Sequence, residues 1–197
     1  MTKQIAIGAT FTLFAATPAF AHLDPASHGS FAAGFTHPIF GLDHVLAMIA
    51  VGLWAALIGG RSVWILPTAF VGAMLAGFGL SMAGLPLPYV EPAILASVVV
   101  FGLVVALALR LPNWLSITLV ALFGACHGHA HGGEIGSAGL FGYATGFVLA
   151  TALLHAVGVL IGYSAHVSAG HNGSVARNMI RALGAATAAC GVLLAAG

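Results

Sequence analysis

Histidine is where this sequence can do chemistry. The chain holds ten His against five Lys+Arg and four Asp+Glu, and the histidines are grouped. His37, Asp43 and His44 form one cluster, and His127, His129, His131 and Glu134 a second. On a helix of about 3.6 residues per turn, His127 and His131 lie one turn apart on one face and Glu134 continues the stripe, while His129 points nearly opposite. A His-x-x-x-His pair is a common way to bring two imidazoles to one metal ion, here with a carboxylate as third donor. His37 and His44 also share a face, but seven residues at about 1.5 Å rise put them about 10 Å apart, too far for one ion on a regular helix. Either Pro38 and Gly41 break the helix, or the two are stations on a path. Imidazole with carboxylate suits Ni²⁺, Co²⁺, Cu²⁺ or Zn²⁺, whereas Mg²⁺ and Ca²⁺ sites are built from oxygen. The ligand form of imidazole is the neutral one, which prevails above a pH of about 6.5 for an unperturbed ring.

The elements that must position these side chains lie in a membrane. Sixty per cent of residues are hydrophobic and 5% charged, against about 25% charged in soluble domains. A formal net charge of +1 offers no basic face for nucleic acid, and two cysteines exclude a disulfide scaffold. Ionisable side chains inside a span are expensive and by default functional.

Residues 1–21 read as a secretory signal peptide. Lys3 precedes an apolar run from Ile5 to Phe14, then Pro18 and the small-x-small triplet Ala19-Phe20-Ala21. The mature chain, 22–197, then starts at His22. An uncleaved first helix is the other reading. The rest divides into six apolar stretches near the roughly 20 residues that a bilayer core requires: 37–59, 64–84, 92–109, 113–131, 139–163 and 176–195. Gly59-Gly60-Arg61-Ser62, Pro86-Leu87-Pro88, Arg110-Leu111-Pro112-Asn113, Gly132-Gly133 and the polar run from His166 to Ser174 separate them. The expected fold is an all-α membrane protein, a six-helix transmembrane bundle after the signal peptide. With His22 outside, Arg61, Arg110, Arg177 and Arg181 all fall in cytoplasmic gaps, both mature termini are periplasmic, and the two clusters share the outer membrane level.

The remaining histidines read less sharply. For His155, deep in the fifth stretch, a hydrogen bond to a neighbouring helix and a place on a permeation path stand side by side. His166 and His171 read as solvated loop residues. His22 with His28 could chelate at the mature terminus, although such termini are usually mobile. Met48, one turn after His44, reads first as packing and second as a thioether ligand, and Cys126 and Cys190 as small buried residues. Gly124, Gly128, Gly132 and Gly136, with Gly142/Gly146 and Gly158/Gly162, form stripes of the kind that let membrane helices approach closely. The first stripe is offset by one residue from His127 and His131, so close packing there would help aim the imidazoles.

These residues carry a family resemblance. His37-Pro38-Ile39-Phe40-Gly41-Leu42-Asp43-His44, continuing through Met48 to Val51-Gly52-Leu53-Trp54, resembles the first signature of the HupE/UreJ family of bacterial nickel permeases. His127-Gly128-His129-Ala130-His131-Gly132-Gly133-Glu134 is similar to the second, and the run from Gly146 through His155 to Gly158 is a third similarity. The resemblance implies secondary uptake of Ni²⁺, or Co²⁺, across the bacterial inner membrane to supply hydrogenase or urease maturation. It implies metal contact by His37, Asp43, His44, His127, His131 and Glu134, with His129, His155, Met48 and His22 as accessory or pathway positions. Cys126 stands where the family pattern leads one to expect an aromatic residue. The metal is then a transported substrate, no prosthetic group is expected, and the chain is not an enzyme. No phosphate-binding loop appears, which argues against ATP hydrolysis.

The competing class is a membrane metalloenzyme or haem protein. A single His-x-x-x-His on the outer side speaks against a di-iron oxygenase, and a haem pair leaves Asp43 and Glu134 unexplained. A periplasmic metal sensor or chaperone is a third possibility. The sequence sets no oligomeric state.

Overall fold

The structure is a computed structural model that describes residues 30–133, 135, 139–168 and 173–197. The signal peptide, His22, His28, Glu134, Gly136 and His171 lie outside the described residues, as does the side chain of His166. The described chain is all-α. Its helices are α1 (Ser30–Phe40), α2 (Leu42–Ile58), α3 (Ser62–Met82), α4 (Val90–Ala106), α5 (Asn113–Gly133), α6 (Leu140–Ser168) and α7 (Gly173–Ala196).

The helices stop where glycine and proline stand. Gly59 and Gly60, at φ of +77° and +56°, turn the chain between α2 and α3, and Gly84 at +72° ends α3 before Pro86 and Pro88. Between these breaks the residues are apolar on nearly every face. Trp64, Phe141 and Leu193 stand 76%, 85% and 71% exposed. Large apolar side chains so widely exposed would aggregate in water and are at home against lipid.

This is an all-α membrane protein. Ser62–Met82, Leu140–Ala165 and Gly173–Ala196 are each long and apolar enough to cross a bilayer, and Phe31–Phe40 with Leu42–Ile58 makes a fourth span if that bent pair is counted as one. The expected six are therefore not all met by length and apolarity. Val90–Ala106 is apolar but only 17 residues long, and the imidazoles and glycines of α5 dilute its hydropathy. The first expected span is also corrected: helix begins at Ser30, before residue 37, and it breaks at Gly41 with an 81° bend.

Packing pairs α3 with α5, α4 with α7, and both α1 and α2 with α6, while α2 also touches α3, α4 and α7. α2 is accordingly buried on most of its faces, through Ala47, Met48, Ala50, Val51 and Trp54. At its far end the Trp54 indole N–H donates to the Leu109 carbonyl at 2.9 Å, tying α2 to the loop after α4.

The α3–α5 contact positions the second cluster. A Cβ on Gly124, Gly128 or Gly132 would run into the backbone of Phe70, Met74 or Phe78 respectively. Only glycine allows that approach, and the stripe read from the four-residue spacing is this contact over its described positions, Gly124 to Gly132. Gly146 lies against α1, and Gly158 and Gly162 against α2, so these positions serve helix packing.

Candidate functional site

Gly41 makes the first cluster compact. The α1–α2 break keeps its backbone bonded, with Gly41 N–H donating to the His37 carbonyl at 3.2 Å and Val45 N–H to the Gly41 carbonyl at 3.0 Å. A Cβ at Gly41 would stand 2.9 Å from His44 Nδ1 and 3.1 Å from Asp43 Oδ1, so the turn needs glycine for space. The bend folds His37 back until its ring centroid is 6.2 Å from that of His44. Of the two alternatives left by the spacing, the broken helix is the one observed.

Asp43 then fixes the orientation of His44. Its Oδ1 accepts from His44 Nδ1–H at 2.7 Å and from the His44 backbone N–H at 2.9 Å. With Nδ1 carrying the proton, His44 Nε2 keeps a lone pair and faces His131 Nε2 at 2.6 Å, where the His131 N–H can donate to it. The carboxylate–imidazole pair has the arrangement that orients histidines in metal sites.

α5 contributes from the other side. Its helix persists to Gly133, so His127 and His131 do share a face and both are buried. His127 Nδ1–H donates to the Phe123 carbonyl at 2.9 Å, which leaves Nε2 as a lone-pair nitrogen without a hydrogen-bond partner. The ring centroids of His44 and His127 are 5.0 Å apart, those of His44 and His131 4.6 Å, and those of His37 and His131 4.5 Å. Four imidazoles from α1, α2 and α5 thus meet beside one carboxylate. Phe147 of α6 closes the wall, its ring 4.4 Å from that of His131.

No group of three or more His, Cys, Asp or Glu side chains among the described residues is disposed to hold a metal ion as it stands. The reason at the centre of the cluster is visible: His44 Nε2 and His131 Nε2 share a proton along one hydrogen bond. For both Nε2 atoms to offer lone pairs to a cation, the His131 ring would carry its proton on Nδ1 instead.

The other expected positions separate. His129 faces away and its Nε2–H donates to the Leu85 carbonyl at 2.9 Å, fastening α5 to the loop after α3. Met48 is fully buried in the core. Cys126 is buried and Cys190 partly exposed, both as free thiols. His155 is buried on α6 with both ring nitrogens unpartnered, and borders a groove of about 610 Å³ between α3 and α6 that is walled mostly by apolar side chains and open on the outer face of the bundle, where Trp64 and Leu160 are exposed.

Sequence reasoning passed over Phe70 and Phe147. Phe70 stands between two histidines, its ring 5.4 Å from that of His127 and 5.0 Å from that of His155. Phe147 lies two turns before His155 on the same face, the one signal that could have placed it.

Comparison with known proteins agrees with the resemblance. The HupE/UreJ protein family matches residues 10–194 of the chain. The chain is 40% identical to Protein HupE of Rhizobium leguminosarum bv. viciae over 191 residues, which cover 95% of this chain and 97% of that protein. No solved structure matches it. With nearly its whole length matched by the family, and with both histidine signatures inside that match, the chain belongs to the HupE/UreJ family.

Proposed function

We propose that this protein is a secondary permease that takes up Ni²⁺, or Co²⁺, across the bacterial inner membrane. The observation that carries the reading is the meeting of His37, His44, His127 and His131 with Asp43, from two parts of the chain distant in sequence, inside an apolar bundle. So many ionisable groups are too costly in a bilayer to serve packing alone. Family membership supports a transporter over an enzyme.

In this reading His37, Asp43, His44, His127, His131 and Glu134 exchange the waters of the ion for nitrogen and oxygen, and Asp43 and Glu134 offset its charge. His155 receives it further in. Residues 1–21 act as a signal peptide, and 22–197 form a permease domain of six spans with α1 and α2 sharing the first and α4 thinning the bilayer or tilting little. The end that carries the four arginines is the cytoplasmic one in this reading, as the positive-inside bias supports, with the cluster and both mature termini on the periplasmic side. The metal entering the cell would serve hydrogenase or urease maturation.

Tracer nickel uptake by cells expressing His44→Ala or His131→Ala tests this. The expected result is uptake at the level of cells lacking the protein, with the variant present in the membrane at normal abundance. Wild-type uptake by both variants would sink the proposal.

A further inference from the structure

Some buried ring nitrogens are left over once the outer cluster is accounted for. Among the buried side-chain polar atoms of the described residues, His127 Nε2 and both nitrogens of His155 have no hydrogen-bond partner. Native structures leave few such atoms orphaned, and each one calls for water, an ion or a functional cause.

The surroundings of His155 supply further donors. Thr151 precedes it by one turn on the same face of α6, and the two are 0% and 1% exposed. α3 offers a facing pair at the same spacing, Phe70 and Met74, both fully buried. Phe70 meets His155 edge-on, with ring centroids 5.0 Å apart, and Thr151 Oγ1–H donates to Met74 Sδ at 3.7 Å. Above them stands His127, against the same Phe70 ring.

We propose that His155, Thr151 and Met74 form a second, inner station for a divalent transition-metal ion, which reaches it from the outer cluster by way of His127 Nε2. The station rests on the transport reading for the direction of traffic. Its donors are an imidazole, a hydroxyl and a thioether, all neutral. An ion held without a carboxylate is held weakly, as a site that must release its cargo requires. The thioether turns the site away from Mg²⁺ and Ca²⁺ and toward the softer end of the series. Binding exchanges the weak Thr151–Met74 hydrogen bond for contacts of both atoms to the ion, and the Thr151 hydroxyl proton turns to the carbonyl one turn back on α6, the usual acceptor of a helical threonine. His155 borders the groove between α3 and α6, while both of its ring nitrogens remain buried.

The test uses the full chain in detergent with Cys126→Ala and Cys190→Ala, saturated with Ni²⁺. Binding at more than one site predicts roughly two nickel ions per chain by tracer dialysis, and X-ray absorption at the nickel edge shows a sulfur neighbour. Met74→Leu, which conserves volume and so keeps the fold, removes the sulfur, and His155→Ala lowers the stoichiometry by about half. Nickel with nitrogen and oxygen neighbours alone, or a sulfur shell that survives Met74→Leu, overturns the inner station. His44→Ala uptake judges the transport reading separately: loss of uptake there with no sulfur at nickel leaves transport standing and the station refuted.

Discussion

Asp43 decides which nitrogen His44 turns toward the cluster. By accepting the hydrogen bond from Nδ1–H it leaves Nε2 as the lone-pair atom beside His131. Asn at this position has the same shape, but it replaces a charged acceptor with a neutral one and can offer its NH₂ to the ring instead. Loss of such an orienting partner costs about 10–100-fold in metal affinity or activity. Asp43→Asn is therefore expected to lower kcat/KM for tracer nickel uptake by about that range while the purified variant keeps its melting temperature; an unchanged kcat/KM would show that Asp43 does not orient His44. Much of this chemistry was legible at residue scale. Adjacent Asp43 and His44, and the one-turn spacing of His127 and His131, stand in the sequence. Met74, Thr151 and Phe70 did not stand out, because a methionine, threonine or phenylalanine on an apolar stripe reads as packing until a histidine is found opposite it.

At the scale of elements, the distance between α3 and α5 is set by glycine. The carbonyl of Met74 occupies the space that a Cβ on Gly128 would need, and Gly128 lies between His127 and its partner one turn on. Gly128→Ala must push the helices apart, and overpacking of this kind costs about 1–3 kcal/mol. The same displacement carries His127 and His131 away from α2. Gly79→Ala, on α3 where a Cβ meets nothing within 4 Å, is the control. The expectation is a lowered melting temperature in detergent and nickel uptake reduced at least about tenfold for Gly128→Ala, with Gly79→Ala like wild type. Equal behaviour of the two variants would detach the glycine stripe from the site. The stripe was readable because close approach has one chemical solution and a fixed period. The partner helix was not, since no local pattern in α5 names α3 as its neighbour. The Gly41 bend stayed undecided for a related reason: Pro38 and Gly41 permit a break, but what favours it is the contact of α1 with α6, a tertiary fact.

For the whole molecule, the question is which end of the bundle meets which solution. The arginines gather at one end. Arg61 joins α2 to α3, Arg110 lies between α4 and α5, and Arg177 and Arg181 lie near the start of α7, where Arg181 Nε donates to the Ala106 carbonyl at 2.8 Å. His44 near the start of α2 and His131 near the end of α5 are at the other end. A cation drawn from the periplasm must enter by the histidine end, so the proposed direction of flow and the arginine bias have to agree. Single cysteines in the background lacking Cys126 and Cys190 decide it. Gly139→Cys, just before α6 and exposed, is expected to react with a membrane-impermeant maleimide on intact spheroplasts. Ser174→Cys, exposed in the first turn of α7, is expected to react only after permeabilisation. The opposite pattern would put the four imidazoles at the cytoplasmic mouth, where the same ligands would load an ion for export, and uptake as the physiological direction would fall with it.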